Sequence, residues 1–151
     1  MVMRKIYLLL MCIYVSHIYG QAAGDSFSVV DQNLLIKECL TFKALEEKIP
    51  VEVFEEIKEY NILNHGINFK STTNFKLNEK QVIFFTKKEL ISKNSYFLFH
   101  TISIKGNNAF VKYYFVYNTN GVKATIPLII EFEKNRSTWN IINYSILKNE
   151  L

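Results

Sequence analysis

Residues 95–147 have the sequence SYFLFHTISIKGNNAFVKYYFVYNTNGVKATIPLIIEFEKNRSTWNIINYSIL, in which apolar and polar side chains alternate along most of the length. Alternation with a period of two is typical of β-strands. Short polar turns, two of which contain glycine, divide the segment into stretches at residues 96–104, 109–117, 122–133 and 138–147. Long strands that follow one another through short turns predict an antiparallel meander.

The alternation also predicts which side chains share a face of the meander. One face is expected to form the core; its residues are Ala109, Val111, Tyr113, Phe115, Tyr117, Val122, Ala124, Ile126, Leu128, Ile130, Phe132, Trp139 and Ile141. On the last strand, Tyr144 and Ile146 are predicted to lie on the opposite face. On the first strand, His100 is predicted to share a side with Tyr96, Leu98, Ile102 and Ile104.

The face opposite the predicted core is also unusually apolar. An exposed sheet face with many aromatic residues commonly contacts a partner, so we expect homodimerisation through the sheet. Because Pro127 cannot donate a backbone hydrogen bond, we expect a bulge or a break in pairing near it.

Two amphipathic helices are predicted before the meander. In residues 31–48 apolar positions recur every three or four residues, and Asp31 or Ser28 can cap the helix start. Pro50 suits the first turn of a second helix, which the same spacing extends to Tyr60 and which residues 64–66, Asn-His-Gly, should end.

The residues between the helices and the meander give weaker signals. Val82 to Phe85 resemble a short strand, and residues 67–80 suit either an edge strand or a loop. Thr86 and Glu89 have the spacing of a capping box before a short helical turn. With 151 residues, 49% of them hydrophobic, the chain suits one α+β domain over residues 25–151, with an N-terminal helical pair packed on a curved, cone-like antiparallel sheet.

The first twenty residues have the layout of a secretory signal peptide. Arg4 and Lys5 precede an apolar run of about ten residues, which is half the length that a membrane span needs. Cleavage is expected near Gly20 to Ala22, so the protein is predicted to be exported, periplasmic or secreted, with no membrane span in the mature chain. Removal of Cys12 would leave Cys39 as the one cysteine, which is expected in the core.

The charges divide the chain into two parts of opposite sign. Residues 25–60 carry nine acidic side chains against four lysines, whereas residues 61–151 carry twelve basic side chains against five acidic ones. Two solvated faces of opposite charge explain this distribution. The lysines are scattered singly and no nucleic-acid-binding motif is present, so nucleic acid is not predicted as a partner.

The order of these elements resembles the nuclear transport factor two-like superfamily, in particular its small exported bacterial members. The resemblance rests on that order and on the hairpin segments ISIKGNNAFV at residues 102–111 and FEKNRSTWNI at residues 132–141. It implies a sheet curled around a helix, with a cavity at the open end of a cone. Some members of the superfamily use this cavity for catalysis, and many use it for binding or dimerisation.

The resemblance implies that a catalytic member would place an acidic or histidine base, often with tyrosines, inside the cone. Asp25 and Asp31 lie at the start of the helical region and are poorly placed for that role. The weak catalytic candidate is His100, and the candidate binding residues are Tyr96, His100, Tyr113, Tyr114 and Glu131. The histidines and the remaining cysteine lack metal-ligand spacing, and no glycine-rich phosphate loop is present, so neither a metal nor a cofactor is predicted.

Three functions fit these observations. The first is a non-catalytic exported module that binds a protein or a small apolar ligand, dimeric through the sheet face. The second is a small-molecule isomerase or dehydratase in which His100 acts with a tyrosine in the cone cavity. The third is an inhibitor or immunity-type protein whose acidic helical face meets a basic partner.

Overall fold

The computed structural model describes residues 28–67, 69 and 74–147. The predicted signal peptide and Asp25 lie outside these residues. The helices are α1 Val29–Leu40, α2 Lys43–Glu46, α3 Val51–Glu56 and the 3₁₀ helix Lys87–Ser92. The strands are β1 Glu59–Leu63, β2 Phe75–Leu77, β3 Lys80–Phe85, β4 Ser95–Lys105, β5 Asn108–Thr119, β6 Val122–Asn135 and β7 Thr138–Ile146.

The seven strands form a single sheet in the order β2-β3-β1-β4-β5-β6-β7. Strands β4 to β7 pair antiparallel with their sequence neighbours, which confirms the predicted meander. The β5–β6 hairpin turns at Asn120 and Gly121, whose φ angles of 51° and 75° suit an Asn-Gly turn of type I′. The chain is therefore a mixed α+β fold in which strand predominates.

The first helix is shorter than the sequence predicts. Ser28 caps it, with its Oγ accepting a 3.0 Å hydrogen bond from the Asp31 backbone N–H, but the helix ends at Leu40. The Thr41 hydroxyl donates to the Lys37 carbonyl at 3.0 Å, a side-chain bond that competes with continued helix, and Phe42 is extended. The helix predicted through residue 48 is thus interrupted, and only the short α2 follows.

The second predicted helix is wrong beyond Glu56, because residues 59–63 form strand β1. This strand runs parallel to both β3 and β4, so the sheet is mixed rather than wholly antiparallel. Tyr60 and Ile62 are buried on one face and Leu63 on the other. A short run that is buried on both faces has no amphipathic period, and a helix and a strand cannot be distinguished from such a run alone.

The three α-helices cover one face of the sheet, which we call the inner face. The core between them is closely packed; its fully buried members include Leu35, Ile36, Leu45, Ile62, Phe99, Val111, Tyr113, Phe115, Leu128, Ile130 and Phe132. The core positions predicted for β5 and for the second half of β6 are thereby confirmed. Packing of the helices on the sheet is partly consistent with the predicted helical pair, which is replaced by three shorter helices.

The opposite side of the sheet, the outer face, has a second and smaller apolar cluster. Leu63, Phe85, Tyr96 and Val116 are buried there, and Leu90 of the 3₁₀ helix packs against them. The predicted capping box starts that helix: the Thr86 N–H and hydroxyl both donate to Glu89 Oε2 at 2.9 Å. This cap lies over only part of the outer face, since Asn140, Ile142, Asn143 and Ser145 on β7 are exposed.

Two β-bulges reverse the alternation that the sequence predicts. Pairing of β4 with β5 shifts between Phe99 and Thr101, so His100 is an additional residue and Ile102 turns to the inner face. The prediction that His100 shares a side with Ile102 and Ile104 is therefore wrong. Ile142 is the additional residue of β7, and beyond it Tyr144 and Ile146 turn to the inner face rather than the outer one.

The ladder between β5 and β6 continues through Pro127, which pairs with Tyr114 without a bulge. The effect of the proline appears on the other side of β6. The Pro127 carbonyl accepts a 3.0 Å hydrogen bond from the Leu147 N–H, so the edge of Pro127 that lacks an N–H group faces β7. The pairing of β6 with β7 ends at Leu128. The predicted break is thus located at the end of β7.

Candidate functional site

A groove of about 430 Å³ crosses the uncovered part of the outer face. We call it the outer groove; its lining residues are Ser103, Lys105, Asn108, Ala109, Phe110, Glu131, Phe132 and Ile142. Three of these residues are neighbours across the sheet, since Ser103 pairs with Phe110 and Phe110 pairs with Glu131. Four strands therefore contribute to one depression.

Ile142 is the most exposed apolar residue of the outer groove, with 55% of its surface exposed. It is the additional residue of the β7 bulge and precedes Asn143, which pairs with Glu131. Bulges are frequent where a strand must redirect a side chain.

Glu131 provides the carboxylate of the outer groove, and Lys105 provides an ammonium group. Its side chain is half-buried between Phe110 on β5 and Asn143 on β7, its neighbours in the ladder. In the part of the chain that the structure describes, the ion pairs are Lys93–Glu59 and Lys134–Asp31, so Glu131 has no cationic partner there. A carboxylate in such a position can accept a hydrogen bond from a bound molecule.

Tyr96 and Tyr114 lie on the outer face but outside the groove lining. Tyr96 is 6% exposed and packs edge-on against Phe85, with ring centroids 5.8 Å apart, as part of the small apolar cluster. Lys123 Nζ lies 5.4 Å from the Tyr96 ring centroid. Tyr114 is half-buried, and Lys112 Nζ lies 5.9 Å from its ring centroid. Both tyrosines have packing roles in the sheet.

His100 lies at the β4 bulge, exposed to solvent. Its Nδ1 is 2.8 Å from Thr101 Oγ1, and its ring centroid is 6.4 Å from that of Tyr114. Neither His100 nor a tyrosine lines the outer groove.

Tyr113 is separated from the other candidate residues because it lies on the inner face. It is fully buried, and its hydroxyl donates a 3.1 Å hydrogen bond to the Cys39 carbonyl of α1. Burial raises the pKa of the Tyr113 hydroxyl well above its usual value, and the nearby Cys39 side chain raises it further. Among the candidates, His100 and Tyr114 are thus brought together, whereas Tyr113 contacts a helix.

The described residues contain no group of three or more His, Cys, Asp or Glu side chains that could hold a metal ion. No helix among them has the length and apolar character needed to cross a membrane. Most of the acidic side chains in and next to α2 and α3 are exposed: Glu47, which follows α2, and Glu52, Glu55 and Glu56 of α3. The enzymatic and inhibitor hypotheses stay predictions.

Glu131 is a predicted binding residue that also lines the outer groove, whereas the other lining residues were not among the predicted ones. Ser103, Phe110 and Ile142 were not predicted as site residues, because strict alternation gives no indication of a transverse depression. One signal was present: the adjacent apolar pair Ile141–Ile142 interrupts the period of two on β7. Such an interruption is compatible with a bulge, although the run Tyr113 to Val116 on β5 has the same character and pairs with β6 without one.

No family model, curated protein or solved structure matches this chain. The resemblance to the nuclear transport factor two-like superfamily therefore stays a prediction.

Proposed function

We propose that this protein is a non-catalytic exported binding module whose contact surface is the outer groove, and that a second copy of the chain binds there. The observation that carries the proposal is the contrast within the outer face. The half near the 3₁₀ helix is sealed by Leu90, whereas the half across β4 to β7 leaves Ile142 exposed beside half-buried Phe110.

The composition of the outer groove supports an apolar contact with charged groups of both signs beside it. Phe110 and Ile142 supply apolar surface, and burial of such surface contributes about 25 cal/mol per Å². Glu131 and Lys105 line the same groove with opposite charges. In a two-fold symmetric dimer each patch meets its own copy, so a patch with both signs of charge can pair with itself.

The NMR spectrum of the uniformly labelled protein tests this proposal at increasing protein concentration. We expect concentration-dependent shifts confined to the backbone amides of the outer groove, with those of α1 unchanged. If the spectrum does not depend on concentration but an added apolar probe such as naphthalene sulfonate shifts the same amides, the surface binds a small ligand rather than a second copy. Shifts centred on α2 and α3 would overturn the proposal and favour the acidic helical face.

A further inference from the structure

A second depression, which we call the β1 groove, lies where β1 and β4 begin. It has a volume of about 300 Å³, and its lining residues are Glu56, Ile57, Lys58, Glu59, Asn61, Ser92, Lys93, Asn94 and Ser95. It has no residue in common with the outer groove. An inference about it is therefore independent of the proposed dimer surface.

The β1 groove exists because β1 and β4 are joined over a very short length. Their parallel ladder has the single registered pair Ile62–Phe97. Glu59 and Asn61 precede that pair on β1, and Ser95 precedes it on β4. On this side of the sheet the two strands begin without pairing to one another, which leaves room for a bound molecule.

Asn61 is the feature that points to a ligand. The residue is 8% exposed, and its Oδ1 atom is buried without a hydrogen-bond partner among the described residues. A buried acceptor that is left unsatisfied costs about 1–3 kcal/mol, so most such atoms in folded proteins have partners. Asn61 lines the β1 groove, so a molecule bound there with an N–H or O–H group can supply the missing donor.

The charges around the β1 groove indicate the class of that molecule. Two carboxylates and two ammonium groups line it, and Lys93 Nζ already pairs with Glu59 Oε1 at 2.9 Å. Glu56 and Lys58 have no ion pair within the described ranges. A lining of zero net charge with one unpaired group of each sign suits a small molecule that carries both charges itself.

We propose that the β1 groove binds a small zwitterionic amino acid, whose ammonium group donates to Asn61 Oδ1 and whose carboxylate is attracted by the lysines. The volume restricts the ligand to a small one, because about 300 Å³ is the lower limit for ligand pockets. The site is additional to the outer groove and does not depend on the proposed dimer.

Titration of the full-length protein with L-alanine, followed by NMR, tests this site. We expect saturable shifts of the Asn61 and Ser95 amides, with a Kd on the order of 1 mM. Glycine betaine is the matched control ligand: it has the same two charges but no N–H donor, so it should bind at least about tenfold more weakly. The absence of a saturable shift up to about 10 mM alanine would leave water as the occupant of the groove and would overturn the proposal. Equal binding of betaine would also overturn it, because it would show that Asn61 Oδ1 receives no hydrogen bond from the ligand.

The substitution Asn61→Leu removes the acceptor at similar volume and should weaken alanine binding at least about tenfold. Its unfolding midpoint should be unchanged or higher, because an unsatisfied buried group is lost. Asn140→Leu, the same change at an exposed position of β7, should bind alanine as the wild type does. If Asn61→Leu does not fold, Asn61→Asp keeps the acceptor and should bind alanine at least as tightly. The proposal is contradicted if folded Asn61→Leu binds alanine with an affinity within twofold of that of the wild type. It is also contradicted if folded Asn61→Asp no longer binds alanine.

Discussion

The carboxylate of Asp31 accepts a 3.0 Å hydrogen bond from Nε1 of Trp139, which joins the first helix to the last hairpin. The same Oδ1 atom accepts from Lys134 Nζ at 2.7 Å, and that ammonium group lies 5.4 Å from the Trp139 ring centroid. The Ser28 hydroxyl donates to the second oxygen at 3.0 Å. One carboxylate thereby connects the helix cap, β6 and β7.

Replacing Asp31 with Asn should destabilise the fold. The substitution removes the charge that strengthens the bonds from Lys134 and Trp139, and hydrogen bonds to charged groups contribute about 1.5–3 kcal/mol each. We expect a loss of about 1.5 kcal/mol in the free energy of unfolding, measured by urea titration. Glu133→Gln, a change of the same type at an exposed position of β6, should leave the midpoint unchanged. Equal stabilities of Asp31→Asn and Glu133→Gln would contradict this role.

The stability of the wild type should fall more steeply in acid than that of Asp31→Asn. The hydrogen bond from Lys134 is the main cause that lowers the pKa of Asp31 from its usual value of 3.8. A carboxylate with a lowered folded pKa stabilises the fold fully above its unfolded pKa and loses that effect as the pH falls through the folded value. Urea midpoints of both proteins, measured from pH 7 to about pH 2, should therefore converge at the acid end. A constant difference across that range would contradict the assignment.

Tyr113→Phe should destabilise the protein, whereas Tyr114→Phe should have little effect. The two tyrosines are adjacent in the chain but lie on opposite faces, and Tyr113 donates to the Cys39 carbonyl inside the core. Removing that donor leaves a buried carbonyl oxygen with one bond fewer, a cost of about 1–2 kcal/mol. Thermal unfolding monitored by circular dichroism gives the comparison. Similar losses of stability from both substitutions would mean that the hydrogen bond from Tyr113 to Cys39 contributes nothing to the stability of the fold.

The Cys39 thiol should be unreactive in the folded protein. Cys39 is fully buried, and burial raises the pKa of its thiol well above the usual value of 9.0. Since the thiolate is the reactive form, alkylation by iodoacetamide should become fast only in urea. The test uses a Cys12→Ser background, so that one cysteine is observed. Rapid alkylation under native conditions would show that α1 separates readily from the sheet.

The sequence predicted the meander because each strand is long and one of its faces is strongly apolar. It did not predict β1, since Tyr60 fits a helical spacing as well as a strand and only pairing with β3 and β4 selects the strand. The bulges at His100 and Ile142 were also missed. One additional residue exchanges the faces of everything beyond it, so a correct strand assignment still misplaced Ile102 and Tyr144.

The prediction of candidate site residues on the strands depended on the same assignment of faces. Glu131 was predicted correctly as an outer-face residue, because β6 itself pairs with β5 without a bulge and keeps its alternation. Trp139 was expected on the core face, but its hydrogen bond to Asp31 joins positions 108 residues apart and has no local signal in the sequence. Contacts between residues so far apart in the sequence depend on the assembled sheet and not on the pattern of any one segment.

Sedimentation velocity of the wild type and of the variants Ile142→Lys and Ile91→Lys tests the outer groove as the contact surface most directly. Ile142 is 55% exposed in that groove, whereas Ile91 is 99% exposed on the 3₁₀ helix, so the same charge is introduced inside and outside the surface. We predict that the wild type is a dimer and that Ile91→Lys dimerises with the same Kd. For Ile142→Lys, the Kd of the dimer should be raised at least about tenfold. A wild type that stays monomeric up to about 1 mM, or a dimer that Ile142→Lys does not weaken, would contradict the account.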